Sequence, residues 1–208
     1  MSLNSKKSTS GEISSKILQK SADICFLSLK DCFNSCLDKT FFPDSLKRAT
    51  ITPVFKEGDP TNVINYRPIS ILPTVSKVFE NIIAQQLNHF LENSFSELLC
   101  GFRKGLSTQH ALLRLLHLWQ RALDDSNIVC TVLMDLSKAY DCLPPDLVIA
   151  KLAAYGVNHS SLLFIYDYLI NRHHRVKIGN SLSSLSILLS IIILTVIYIY
   201  IYISYIIF

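Results

Sequence analysis

The sequence predicts an α+β domain followed by an apolar tail. Segments with helical periodicity and short β-branched runs are mixed along the chain. Hydrophobic residues make up 50% and charged residues 17% of the 208 residues, which excludes a disordered or collagen-like chain. This length suits one domain with an appendage. We therefore expect a polar lead-in over residues 1–13, one folded domain over 14–186 and an apolar tail over 187–208.

The first half of the domain shows two helical patterns separated by a strand pattern. Apolar residues recur at helical spacing over about 15–37, with Ser14 or Ser15 as the cap. Residues 48–56 are β-branched and alternating, which predicts a strand that Pro53 restricts to an edge or a bulge. A turn follows over 56–60, and a second helix is expected over about 74–92.

The second half repeats this mixture of helices and strands. Ser107 is a good cap for a third helix that runs to about residue 124. The apolar run 128–136 has the length of a buried central strand, with Asp135 near its end. Two further helices are expected over 145–155 and about 159–171, and then a short strand over 175–178.

Charge and cysteine content indicate the cellular compartment and the type of binding partner. The net charge of +4 permits nucleic acid as a partner without proving it. The six cysteines form no C-x-x-C pair, and the first twenty residues are too polar for a signal peptide. We therefore expect an intracellular protein with reduced thiols, and the tail adds membrane association as an alternative.

An acidic residue that leaves a buried strand is costly unless it caps, pairs or binds metal, so Asp135 needs an explanation. Taken alone, an Asp at a strand end is usually a helix cap or a turn residue. Its surroundings, Asp-Leu-Ser-Lys-Ala-Tyr-Asp over 135–141, favour a catalytic interpretation.

This motif and four others resemble the reverse transcriptase domain of non-LTR (LINE-type) retrotransposons, and they occur in the order found in that family. The resemblance extends over about residues 13–186. It implies the fingers and a partial palm of a right-hand polymerase. The other segments that carry it are Phe-Pro-Asp-Ser-Leu-Lys-Arg-Ala (42–49), Pro-Val-Phe-Lys-Glu-Gly-Asp (53–59), Asn-Tyr-Arg-Pro-Ile-Ser (65–70) and Gly-Phe-Arg-Lys-Gly-Leu-Ser-Thr (101–108).

The resemblance implies roles for three residues of the 135–141 motif. Asp135 would be the first of three carboxylates that hold two Mg²⁺ ions, and Leu136 would add a backbone carbonyl to that metal site. Tyr140 would form the floor of the nucleotide pocket and reject a 2′-hydroxyl, although it could equally be a core residue. Asp141 is more easily explained as a cap or an ion-pair partner.

Basic residues of the fingers would contact phosphates in the same scheme. Lys56 and Arg67 would reach the incoming triphosphate, whereas Arg103 and Lys104 would lie along the template backbone. The alternative for all four is that they are solvated turn or loop residues. The implied partners are an RNA template and a DNA primer.

The resemblance stops where the family continues to a G-x-P-Q-G-S loop and an aromatic-Ala-Asp-Asp hairpin. No Asp or Glu follows Asp167, and one carboxylate is a poor site for two divalent ions. We expect an incomplete reverse transcriptase that is inactive by itself. The alternatives are a non-catalytic nucleic-acid-binding module and a tail-anchored membrane protein.

The tail satisfies two different physical patterns. Of its 22 residues 19 are apolar and none is charged, which is enough to cross a bilayer as a helix. Residues 197–203 nevertheless alternate Ile and Tyr, a pattern that translated AT-rich flanking DNA would also produce. The basic residues that could orient a membrane span are Arg172, Arg175 and Lys177.

We expect the whole chain to be insoluble or membrane-associated, and truncation after Ser186 to restore the solubility of the domain. The physical reason is that an uncharged Ile-Tyr repeat without Pro or Gly self-associates in water. Membrane fractionation measures this directly. Soluble, monomeric full-length protein would contradict the expectation, and resistance to carbonate extraction would favour a membrane span over aggregation.

Overall fold

The computed structural model describes residues 13–101, 103, 105–132 and 144–187. These residues contain both helices and strands, and the strands form one mixed sheet, which confirms the predicted mixture of α and β structure. The elements are α1 (Ser15–Lys20), α2 (Ala22–Asp38), β1 (Arg48–Phe55), β2 (Tyr66–Ile71), α3 (Thr74–Leu91), α4 (Thr108–Asp124), α5 (Pro145–Ala154), α6 (His159–Leu169), β3 (His173–Ile178), β4 (Ser181–Leu182) and β5 (Ser186–Ile187).

The first predicted helix is two helices separated by Ser21. The cap is as expected, because the Ser14 hydroxyl accepts a hydrogen bond from the Ile17 N–H at 3.3 Å. The Ser21 hydroxyl donates to the Ile17 carbonyl at 2.9 Å. A serine that bonds the carbonyl four residues back competes with the helical backbone, and here it marks the junction between α1 and α2.

The sheet has the strand order β2-β1-β3-β4, and β5 also pairs with β3. β1 runs antiparallel to β2 and parallel to β3, so β1 lies inside the sheet, where the sequence predicted an edge or a bulge. Its pairing with β3 ends at Ile51, two residues before Pro53.

Pro53 is tolerated because of its place in the antiparallel register. It lies opposite Pro68, and the Lys56 N–H donates to the Asn65 carbonyl at 2.8 Å. Hydrogen-bonded and non-hydrogen-bonded pairs alternate along such a ladder, so the two prolines form a non-hydrogen-bonded pair. The missing N–H of Pro53 would have pointed towards β3, beyond the last β1–β3 pair.

The core lies among the helices and is centred on five aromatic rings. Phe42 and Phe79 are completely buried. Phe79 stacks on Phe33 with ring centroids 4.2 Å apart, and Phe42 meets Tyr168 edge-on at 4.9 Å. Phe164 contacts both central rings. These contacts join α2, α3 and α6 to the segment that leads into β1, with the offset and edge-on geometries that aromatic pairs prefer.

An ion pair between a buried lysine and a partly buried aspartate fixes the start of β1 against α6. The Asp167 carboxylate accepts hydrogen bonds from the Phe42 N–H at 2.7 Å and from Lys47 Nζ at 3.1 Å. Lys47 is 1% exposed, and its second carboxylate partner, Asp44, is 3.5 Å away. A buried ammonium group needs such compensation, so Lys47 is a structural residue.

A second buried pair joins α3 to the segment before β3. Arg172 lies 3.6 Å from the Glu80 carboxylate, and the side chains are 1% and 9% exposed. Ser76 donates to Glu80 at 3.1 Å, and Arg172 donates to the Tyr168 carbonyl at 2.9 Å. Burial raises the pKa of Glu80 to about 7, against the opposing effects of Arg172 and Ser76. Arg172 is therefore part of the core. The prediction that it is available to orient a membrane span is wrong, because its side chain is buried.

The predicted central strand over 128–136 is wrong for the residues that the structure describes there. Residues 127–132 are not strand, and Ile128 and Val132 are 96% and 68% exposed. An apolar run of strand length becomes a buried strand only beside a partner, and no strand of the described ranges pairs with it. The helix before it, α4, likewise has no buried residue.

We expect Arg172→Met to cost more stability at about pH 8 than at about pH 5.5. The pKa of Glu80 is about 7 in the folded state, against an ordinary value of 4.5. Between these two pH values the folded protein keeps a proton on Glu80 that the unfolded chain releases. The contribution of Glu80 to the free energy of unfolding therefore falls as the pH rises from about 4.5 to about 7. Without Arg172 the ionised carboxylate is unpaired, a loss on the order of 3 to 5 kcal/mol. At the lower pH Glu80 is neutral and the loss is smaller.

The measurement is urea unfolding of the chain truncated after Ile187, followed by circular dichroism. Glu80→Gln is the control, since it removes the titrating group and should flatten the dependence on pH. An equal cost of Arg172→Met at both pH values would contradict this account.

Candidate nucleic-acid interface

The β1–β2 ribbon carries two of the residues predicted to contact phosphates, Lys56 and Arg67. Arg67 lies opposite Val54 in the antiparallel register. The hydrogen bond from the Lys56 N–H to Asn65 continues that register through Lys56, two positions beyond Val54. Because side chains alternate between the faces of a strand, Lys56 and Arg67 share one face. The structure thus brings this predicted pair together.

A tight turn positions Lys56 at the end of the ribbon, as predicted. Gly58 has φ of +90°, which favours glycine, and a Cβ there would lie 2.8 Å from Asn65 Nδ2. Asp59 accepts hydrogen bonds from the Thr61 N–H and hydroxyl at 2.8 and 2.7 Å. These bonds lower the pKa of Asp59, so the turn is held by an ionised side chain.

The register adds three more cations to the same face. Arg48 shares the alternation of Lys56 along β1, and in the parallel pairing Thr50 lies opposite Arg175. Lys177 is two positions beyond Arg175 and therefore faces the same way. We call the surface defined by Arg48, Lys56, Arg67, Arg175 and Lys177 the basic face.

The basic face carries little compensating negative charge. None of the five strands contains Asp or Glu. Within the described ranges, the side chains of Arg48, Arg67 and Lys177 form no ion pair. Lys56 pairs with Glu57 at 3.2 Å, but both side chains are exposed and such pairs are weak. An anionic partner would therefore find these cations available.

Aromatic side chains of the ribbon lie on its other face. Phe55 and Tyr66 are paired across the strands, with ring centroids 5.5 Å apart, and the Tyr66 hydroxyl donates to the Pro60 carbonyl at 2.8 Å. The positions of β1, β2 and β3 that belong to the basic face hold no Phe, Tyr or Trp. The basic face therefore offers positive charge, and the aromatic rings that could stack on a base lie on the opposite face.

Sequence reasoning missed Arg48 and assigned Arg175 and Lys177 to a flank of the tail. The alternation within β3 was a usable signal for its two cations. Their placement beside Lys56 and Arg67, however, depends on the β1–β3 pairing, which joins residues that lie more than a hundred positions apart.

Arg103 lies in the loop before α4, where its guanidinium is held locally. It donates to the Ser96 carbonyl at 3.4 Å and lies 6.0 Å from the ring centroid of Phe95. These contacts do not test its predicted role on the template backbone, which stays a prediction. Lys104 lies outside the described residues.

The predicted catalytic residue Asp135 and its neighbours Leu136 and Tyr140 also lie outside the described residues. Among the residues that the structure does describe, no group of three or more His, Cys, Asp or Glu side chains is placed to hold a metal ion. The same ranges contain no helix long and apolar enough to cross a bilayer. The predicted Mg²⁺ site and the nature of the tail stay predictions.

Comparison with known proteins identifies a polymerase family. The family model for reverse transcriptase (RNA-dependent DNA polymerase) matches residues 55–188. The chain is 33% identical over 160 residues to the probable RNA-directed DNA polymerase from transposon BS of Drosophila melanogaster, covering 73% of this chain and 17% of that protein. It is 32% identical over 112 residues to the RNA-directed DNA polymerase from mobile element jockey of the same organism, covering 52% and 12%.

The chain belongs to the reverse transcriptase family, since the family model matches more than half of it. This confirms the non-LTR retrotransposon resemblance predicted from the motifs. The matched range includes Lys56, Arg67, Arg175 and Lys177, whereas Arg48 lies before it. The chain spans between 12% and 17% of the length of the relatives named here.

Proposed function

We propose that this chain forms the fingers and part of the palm of a retrotransposon reverse transcriptase and binds nucleic-acid phosphates through the basic face. The observation that carries the proposal is that three paired strands, together with Lys56 directly after β1, carry five cations on one face, and that these strands contain no acidic residue. An RNA template and a DNA primer are the partners that the family implies. Phosphate contacts carry no sequence information, so binding is independent of sequence.

We further propose that these 208 residues do not copy a template by themselves. Reverse transcriptases use divalent metal ions, and the proposed share of this chain in the metal site is Asp135 with the Leu136 carbonyl. No Asp or Glu after Asp167 is available to complete a pair of metal sites. The basic face would then supply binding without synthesis.

Primer extension by the whole chain, with Mg²⁺ or Mn²⁺, should therefore stay at background. The reason is that two ions of charge +2 need more than one carboxylate to be held against water. Asp135→Ala is the control for contaminating polymerase activity. Extension above background that Asp135→Ala abolishes would contradict the proposal.

Binding of a fluorescent oligonucleotide tests the basic face. We expect dissociation constants in the range of roughly 10⁻⁴ to 10⁻⁶ M at physiological salt, with affinity falling as salt rises. Lys56→Gln with Arg67→Gln should weaken binding and reduce the salt slope by about 1.4, the value for two lost contacts to a single strand.

The matched control is Lys16→Gln with Lys20→Gln, which removes the same charge from exposed positions on α1. Fluorescence anisotropy at several salt concentrations measures both quantities. Equal effects of the two double variants would mean that net charge, and no defined face, governs binding. Affinity that is insensitive to salt would contradict the proposal outright.

A further inference from the structure

The end of the basic face farthest from Lys56 contains a small polar cavity. Its volume is about 240 Å³, and two arginines and two hydroxyl groups contribute to its lining. The lining residues are Ser45, Arg48, Ala49, Thr50, Arg175 and Leu185.

Among the described residues, the lining of the cavity contains two arginines and no carboxylate. Arg175 is anchored by a hydrogen bond from its Nε to the Thr50 hydroxyl at 3.4 Å, which leaves its terminal nitrogens without a further partner among the described residues. The acid nearest in sequence, Asp44, lies 3.5 Å from Lys47. Guanidinium groups match the paired oxygens of a phosphate better than a lysine does.

We propose that this cavity is a second phosphate subsite, which holds a phosphodiester of a strand bound along the basic face. In the absence of an incoming triphosphate, Lys56 and Arg67 hold another phosphate of that strand. The inference rests on the proposed function of the basic face. Lys56 lies eight positions beyond Arg48, about 26 Å at the usual rise of a strand. One nucleotide is too short to reach both ends, whereas a strand of several nucleotides reaches both and passes Lys177.

A free nucleoside triphosphate offers the same phosphate chemistry as a strand, so the test separates the two sources. The whole chain, fused to a soluble carrier, is titrated with thymidine oligonucleotides of about four and twelve nucleotides. The wild type should bind the longer one more tightly. Arg48→Gln with Arg175→Gln should remove most of that gain, about tenfold in affinity, and reduce the salt slope for the longer strand by about 1.4.

Two further variants keep the result interpretable. Arg48→Gln alone changes an exposed side chain, so it tests the subsite without risk to folding, and it should lose part of the gain. Arg48→Lys with Arg175→Lys keeps the charge but loses the planar guanidinium groups. Its affinity for the longer strand should lie between the affinities of the wild type and the double Gln variant.

The possible failures are distinguishable. If Lys56→Gln with Arg67→Gln weakens binding but the Arg48 and Arg175 variants match the wild type, the subsite is disproved and the proposed function stands. If the wild type binds no oligonucleotide, the proposed function fails and the subsite with it. If a deoxynucleoside triphosphate competes only for the part of binding that depends on Arg48 and Arg175, the ligand is a free nucleotide and the strand assignment is overturned.

Discussion

The hydrogen bonds to the Asp167 carboxylate set the geometry on which the sheet depends. This one side chain accepts from the Phe42 N–H, at the centre of the aromatic core, and from the buried Lys47 ammonium. Lys47 directly precedes β1, and α6, which carries Asp167, leads into β3 through residues 170–172. The two strands therefore start from a common anchor, and their first parallel pair is Arg48 with His173. Since that register decides which side chains share a face, the basic face depends on a contact that lies outside it.

This arrangement separates two groups of cations, one buried in ion pairs and one on the basic face. Lys47 and Arg172 are 1% exposed and are compensated by Asp167 and Glu80, so they join helices to the strand starts and are unavailable to a ligand. The cations of the basic face are more accessible, and their strands contain no acid. A net charge of +4 therefore understates the local charge of one surface. The buried pairs also carry a cost, since the raised pKa of Glu80 shows that desolvation exceeds the attraction of Arg172.

Local signals predicted the helices and two of the five strands, β1 and β3, whereas β2, β4 and β5 were not predicted. The cap at Ser107 and the turn at Gly58 are examples, because capping and positive φ depend on a few neighbouring residues. The apolar run at Ile128 was misjudged because burial of a strand depends on a partner that periodicity cannot supply. For the candidate site, family motifs predicted Lys56 and Arg67, and the strand register puts them on one face. The contribution of Arg175 could not be predicted, since it depends on a parallel pairing between distant segments.

The residues of the family motif over 42–49 have different roles in the structure. Phe42 fills the core, Lys47 forms a buried ion pair, and Arg48 alone among these three faces the basic surface. A motif that looks like one signature thus combines a packing residue, an electrostatic anchor and a candidate ligand contact. Replacing the first two would disturb the β1–β3 register and displace the third. A loss of binding after such a change would report on the scaffold, so the exposed residues of the face are the ones whose substitution reports on recognition.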